Sequence, residues 1–141
     1  MNRKQVPNII IKKNRLTVDE YIFFRKSVGW SHIDKSAVKK SLKNELFSVC
    51  IYKDNSPIAM GRIVGDGAIY FYIQDIIVLP DYQKEGFGSL IMKQIEQYLT
   101  LNALSNSFIS LIAASGVSGF YKKFGYIERK EEAPGMYKIK A

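Results

Sequence analysis

IIVLPDYQKEGFGSLI, residues Ile76 to Ile91, carries three instructions in succession. An apolar run ends at Leu79, Pro80 stops it, and Gly86 and Gly88 lead straight into the helical pattern that begins at Ser89-Leu90-Ile91. Strand, glycine loop and helix in this order form a βα turn. Glycine near the start of a helix costs about 1 kcal/mol relative to alanine, so the bare backbone answers a need. Several N–H groups point out of such a loop and the helix dipole favours negative charge beside them, which makes phosphate the natural guest. Two familiar phosphate signatures are absent: the stretch lacks the third glycine of the dinucleotide fingerprint, and no Gly-Lys-Ser/Thr follows as in a P-loop.

Working outward, Ile69 to Leu79 reads as the most apolar strand of the chain. A helix from Ser89 to roughly Leu101 places Leu90, Ile91, Ile95, Tyr98 and Leu99 on or near one face. Phe108 to Ala113 then forms a short, nearly all-apolar run, expected as a strand buried on both faces and reached by a crossover, so this segment is a βαβ unit. On the N-terminal side, Gly65-Asp66-Gly67-Ala68 is a tight turn, and Phe47–Lys53 with 58–64 forms a hairpin across Asp54-Asn55-Ser56-Pro57. Earlier still, Ile9 to Lys13 is a short β-branched strand. Thr17 and Glu20 make a capping box that opens a helix over Val18–Ser27, Gly29 breaks it, and a second helix starts at Ser36 with apolar positions 38, 42 and 46. Towards the C-terminus, a short helix over Val117 to Phe124 closes at Gly125. Two strands follow, Tyr126 to Arg129 and Met136 to Ile139. The predicted order is β-αα-βββ-α-β-α-ββ, an α/β (α+β) fold with a central mixed, mostly antiparallel sheet flanked by helices.

At 141 residues, with 47% apolar and 24% charged side chains, the chain suits one globular domain over residues 1–141. Its formal net charge of +8 favours anionic partners. The basic residues are scattered, with no massed block or aromatic-interleaved patch, which argues against nucleic acid and for a phosphate-bearing small molecule. Cys50 is the only cysteine, so a CxxC or Cys/His zinc framework is excluded and no metal site is expected. The run Ile9-Ile10-Ile11 is too short for a signal sequence or a membrane span, so a cytoplasmic protein without a membrane partner is expected.

Val78-x-Pro80-x-Tyr82-Gln83-x-x-Gly86-Phe87-Gly88 resembles motif A of the GNAT superfamily of N-acetyltransferases, whose core is Gln/Arg-x-x-Gly-x-Gly/Ala after a strand. Gly119-Phe120-Tyr121-Lys122-Lys123-Phe124-Gly125-Tyr126 is similar to the second signature of that family, Phe-Tyr followed by a Gly-Phe or Gly-Tyr pair. The two motifs lie at compatible spacing, and the resemblance covers most of the chain. It is weakest over residues 1 to 46, the part of the family that varies with substrate.

The resemblance implies an acetyl-CoA-dependent acyltransferase that moves acetyl to a primary amine by direct attack in a ternary complex. A catalytically inactive acyl-CoA sensor or interaction module is the alternative. Gln83, Lys84, Glu85, Gly86, Phe87, Gly88 and Ser89 are then pyrophosphate contacts, mostly through main-chain N–H groups, with the Glu85 carboxylate expected to face solvent. Ile76, Ile77 and Val78 run beside the pantetheine arm, and the N–H of Val78 polarises the thioester carbonyl, as an oxyanion hole does. An amine nucleophile with an ordinary pKa near 10.4 must lose a proton. Asp75 is the carboxylate within reach, either as that base or as a group that only bonds a neighbouring N–H. Tyr121 occupies the family position of the acid that protonates the leaving thiolate, and it joins the cofactor contacts. Trp30, in the loop between the first two helices, and Tyr72 and Gln74, on one strand face, are expected to meet the acceptor, a small-molecule or peptide amine. The protein is expected as a monomer or homodimer. His32 reads as a surface histidine and Cys50 as an inert buried thiol.

Overall fold

The computed structural model of the protein describes residues 6–141. Residues through Leu111 form one compact unit, and Ile112–Ala141 form a second.

The first unit is a five-stranded sheet in the order β1-β2-β3-β4-β5, built from β1 (Ile9–Lys13), β2 (Phe47–Lys53), β3 (Ser56–Gly65), β4 (Tyr70–Val78) and β5 (Phe108–Ser110). Its first four strands pair antiparallel, and β4 and β5 pair parallel across a helical connection. The predicted mixed, mostly antiparallel sheet is thus the observed one.

Helices α1 (Val18–Ser27) and α2 (Lys35–Lys43) precede the hairpin, and α3 (Phe87–Asn102) is the crossover. The expected capping box of α1 is present: the Thr17 hydroxyl accepts from the N–H of Glu20 at 3.1 Å, and the Glu20 carboxylate accepts from the N–H of Thr17 at 3.0 Å.

Alternation in β2 and β3 sorts the core into two layers. Leu16, Tyr21, Phe24, Val38, Cys50, Met60 and Ile77 form one cluster, joining α1 and α2 to the sheet. Across the sheet, Phe47, Val49 and Ile51 pair with Ile63, Gly61 and Ala59, and α3 lies over this face. The Phe47 ring stacks on Tyr98 at 4.9 Å. A Cβ on Gly61 would stand 2.6 Å from Ile91 and 3.1 Å from Ile95, so glycine lets α3 approach the sheet. Ile91, Met92, Ile95 and Leu99, the buried stripe of α3, are each worth about 1.5–3 kcal/mol on removal from water.

Three expectations need correction. Helix α3 begins at Phe87 rather than Ser89, so Gly88 lies inside its first turn. β5 ends at Ser110 and is not buried on both faces: Phe108 is 48% exposed, and within this unit only β4 pairs with it. In the second unit the only regular element among the described residues is the short helix α4 (Ser118–Lys122), and the expected strands over 126–129 and 136–139 are not formed. Of the large side chains in those segments Tyr126 is half-buried, but Ile127, Met136, Tyr137 and Ile139 are exposed, so burial supplies little drive to order a ladder there. Around α4, Phe120 meets Tyr121 and Phe124 edge-on at 5.1 and 5.4 Å. Lys122 pairs with Glu128 at 3.6 Å.

Candidate active site

The decisive irregularity is in β4. Met60 faces Ile77 and Arg62 faces Gln74, so Gly61 alone stands opposite two residues, Asp75 and Ile76. This is a β-bulge, and Asp75 takes it up with φ of 58°. Aspartate is among the few non-glycine residues that tolerate this left-handed conformation. The bulge reverses the strand's alternation. Before it, Tyr72 and Gln74 share a face with Val64 and Arg62; after it, Ile77 does so with Met60.

Beyond the bulge no strand among the described residues of this unit pairs with the far edge of β4. β5 pairs only with Tyr70, Phe71 and Tyr72. The N–H of Leu79 donates to the carbonyl of Ile58 at 2.9 Å, so by antiparallel alternation Ile77 and Leu79 face β3, while Val78 and Ile76 face away from it. Gln83 Nε2, donating to the outward carbonyl of Val78 at 3.1 Å, agrees with that direction.

That edge runs into the glycine loop. A single 3-10 turn, Pro80–Tyr82, ends the strand, and Lys84 and Gly86 both have positive φ, 64° and 87°. Gly86 is the N-cap of α3, no side chain caps the helix, and its first turn holds no acidic residue. A Cβ on Gly86 would meet nothing within 4 Å, so the space over the helix start is open. Gln83, Lys84, Glu85, Gly86 and Ser89 are exposed, while Phe87 and Gly88 are half-buried. The exposure of Glu85 agrees with a carboxylate that faces solvent. Tyr82 and Phe87 meet edge-on at the loop, with Lys53 Nζ 5.4 and 6.0 Å from their ring centroids. An uncapped helix start with open space above it and a cation nearby fits a pyrophosphate.

On the α1/α2 face of the bulge lies a buried ionic network. Arg62 donates from Nε to Glu45 at 2.8 Å, from Nη1 to Asp75 at 3.0 Å, and from Nη2 to the Ser41 carbonyl and hydroxyl at 3.2 and 3.0 Å. The Arg62 and Asp75 side chains are 3% and 1% exposed. Burial works to lower the Arg62 pKa, but the bonds and charges of Glu45 and Asp75 outweigh it and hold the pKa above its ordinary value. The Tyr21 hydroxyl donates to Asp75 Oδ2 at 2.9 Å, and Arg25 Nη1 donates to the Tyr21 hydroxyl at 3.5 Å. Burial first, and the Asp75 charge second, raise the pKa of Tyr21. Those two causes, in the same order, also raise that of Tyr72.

Residues 23–135 match the family model described as Acetyltransferase (GNAT) domain. The chain belongs to the GNAT acetyltransferase family. It is 33% identical over 115 residues to an uncharacterized N-acetyltransferase, ycf52, of Pyropia yezoensis, covering 79% of this chain and 65% of that one. A chloroplastic GCN5-related N-acetyltransferase 1 of Arabidopsis thaliana is 28% identical over 127 residues, covering 89% and 64%. The crystal structure of a probable acetyltransferase of unknown function from meticillin-resistant Staphylococcus aureus superposes with a TM-score of 0.87 at 36% identity, covering 95% of this chain and all of that one. The chain spans just under two thirds of the length of these two curated relatives. No helix among the described residues is long and apolar enough to cross a membrane.

Within this GNAT chain, the outward backbone of Val78 is tied to the loop Gln83 to Ser89 by the Gln83 side chain, which donates to the Val78 carbonyl. Ile77, expected among the cofactor contacts, does not join them, since its side chain is buried in the α1/α2 cluster and its backbone faces β3. Tyr72, Gln74 and Asp75 come together on the opposite side of the strand's path, where Gln74 Nε2 lies 3.4 Å from Asp75 Oδ1. Asp75 is committed to Tyr21 and Arg62, which supports the reading of a hydrogen-bonded group over that of a free base. Trp30 is exposed in a cleft at the end of α1. Tyr121 sits in α4 of the second unit, half-buried, and burial raises its pKa. Cys50 is buried, and burial pushes its thiol up to about 12, so it is no nucleophile. Sequence reasoning missed Arg25, Glu45, Lys53 and Arg62. Of these only Arg62 left a signal, a lone charge inside the otherwise apolar Ile58 to Val64.

Proposed function

We propose that the protein is an acetyl-CoA-dependent N-acetyltransferase that passes an acetyl group directly to a primary amine. One observation carries this reading: the β4 bulge turns the N–H groups of Ile76 and Val78 onto the edge away from β3, which leads into an uncapped glycine helix start. The family match across residues 23–135 spans both compact units and supports treating 1–141 as one GNAT domain.

Acetyl-CoA, when bound, supplies an activated acetyl thioester. The loop from Gln83 to Ser89 holds its pyrophosphate through backbone N–H groups, with Lys53 adding positive charge. Val78 bonds the pantetheine arm. The thioester lies farther from the loop than the arm does, which favours Ile76, beside the bulge, over Val78 as the donor to its carbonyl oxygen. Asp75 keeps the bulge in shape and orients Tyr21 and Gln74, while the amine's proton leaves through water. Tyr121 protonates the departing thiolate: a phenol whose pKa lies above that of a thiol stays protonated until charge develops on sulfur.

Thermal shift with acetyl-CoA, followed by CoA-thiol release across a panel of primary amines, tests the reading. A stabilising shift and amine-dependent release are expected. Absence of the shift, or a shift without release for any amine, contradicts it. Tyr121→Phe separates the acid from the binding residues, since an intact shift with slowed release is expected.

A further inference from the structure

The stretch Asp75-Ile76-Ile77-Val78 leaves a choice of register open. Register in a strand is set by which side chains suit which face, and a slip of one residue exchanges the faces. Ile76, Ile77 and Val78 are aliphatic, and they meet apolar surroundings on both sides. Ile77 lies in the α1/α2 cluster, while the Ile76 side chain reaches the α3 face, where it crowds Gly61 together with Ile91 and Ile95. Exchanging two isoleucines costs little in packing. The hydrophobic pattern therefore does not choose between a bulged strand and a regular one.

Asp75 makes the choice. Before the bulge, Phe71 and Ile73 stand opposite Gly65 and Ile63 on the α3 face. Unbroken alternation from Ile73 would set the Asp75 side chain on that face as well, opposite Gly61 and against Ile91 and Ile95, and a carboxylate buried among aliphatic side chains is heavily penalised. The bulge carries it to the other face. There Arg62 Nη1 and the Tyr21 hydroxyl donate to the same oxygen, Oδ2, at 3.0 and 2.9 Å. Glu45 and Ser41 hold the rest of the guanidinium, so the cation is fixed in place for Asp75. A buried ion pair contributes little net stability over an apolar pair of similar volume, and its best-attested use is to fix register.

We propose that Arg62 is a positioning residue for acetyl transfer: paired with Asp75, it locks β4 in the bulged register that turns the N–H groups of Ile76 and Val78 away from β3. In the regular register the N–H of Ile77 takes the outward direction, and those of Ile76 and Val78 face β3. The lock needs no cofactor, and only its consequence for acetyl transfer rests on the transferase reading.

Amide hydrogen exchange, read residue by residue without acetyl-CoA, tests the lock. Val49, in a strand paired on both sides, is the standard for global opening. In the unaltered protein Ile77 is expected to exchange about tenfold or more slowly than Ile76 and Val78. Asp75→Gly keeps the freedom to adopt positive φ but removes the carboxylate, and it leaves Arg62 its bonds to Glu45 and Ser41. Protection of Ile77 relative to Val49 is expected to fall about tenfold or more in this variant, and acetyl-CoA affinity to fall about tenfold with it. Arg62→Met is expected to act in the same direction, and Asp75→Gly keeps the test readable should Arg62→Met not fold. Asp75→Asn, which keeps an acceptor oxygen and tolerance of the left-handed conformation, is expected to retain the exchange pattern. An unchanged Ile77-to-Val49 ratio in Asp75→Gly overturns the proposal, because tolerance of positive φ alone would then hold the bulge. Unchanged acetyl-CoA affinity despite an altered ratio overturns it too, since the register would not matter to the cofactor. Thiol release by the unaltered protein reads the transferase proposal separately, so the two can fail independently.

Discussion

The two sides of β4 are built from different materials. Along its outer edge and through the glycine loop, the site is backbone: outward N–H groups, two positive-φ residues in the loop, and a helix start that no side chain covers. On the α1/α2 face it is side chain: Glu45, Arg62, Asp75, Tyr21 and Arg25, drawn from four different segments and linked in one hydrogen-bonded series. The first surface is exposed in the loop and half-buried along β4, and its donors are backbone groups nearly indifferent to which side chains surround them. The second is buried, and each member depends on the next. Binding a cofactor shared by a whole family suits the first construction, and selecting an acceptor suits the second.

If that contrast is right, damage to the two sides differs in kind. Arg62→Met leaves Glu45 and Asp75 buried without their cation, and we expect a loss of about 3–5 kcal/mol in urea unfolding. A loss below about 1 kcal/mol would mean that the network contributes little to the fold. Gly61→Ala pushes a methyl group against Ile91, Ile76 and Ile95, and should cost about 1–3 kcal/mol by the same measurement. Because Gly61 lies opposite the bulge, acetyl-CoA affinity should fall with it.

Gly86→Val works the other way. Its Cβ meets no neighbour, so only the strain of a positive φ, about 1–2 kcal/mol, reaches stability, while acetyl-CoA affinity should weaken by about tenfold or more in a calorimetric titration. Unchanged affinity would reduce the loop to an ordinary turn.

The smallest effect concerns alkaline pH. The raised pKa of folded Tyr21 stabilises the protein fully below the pKa of an unfolded tyrosine, about 10, and this contribution is lost as pH climbs from there through the folded value. Tyr21→Phe should therefore flatten the decline of stability above about pH 10, and an identical decline in both proteins would show that burial and the Asp75 charge do not hold Tyr21 neutral.

What could be read in the sequence follows the same division. The βα turn at Gly86, the capping box at Thr17, and the strands around the hairpin are local patterns, and all appear where short-range chemistry puts them. The glycine loop was legible because bare backbone leaves its mark as glycine. The network was not, because Glu45, Arg62 and Asp75 are distant in the chain and only the register of β3 against β4 brings the last two together. The bulge itself has no glycine to announce it, since Asp75 takes the left-handed conformation. The strands expected over 126–129 and 136–139 show the converse failure: β-rich composition alone does not form a ladder where the side chains remain in water.

The central claim is that acetyl-CoA is held by the backbone of β4 and the helix start. Amide hydrogen exchange with and without acetyl-CoA tests it most directly. Slowed exchange at Ile76 and Val78 and from Lys84 to Ser89 is expected, with little change in β1. Unchanged exchange at those amides in the presence of saturating acetyl-CoA would contradict it.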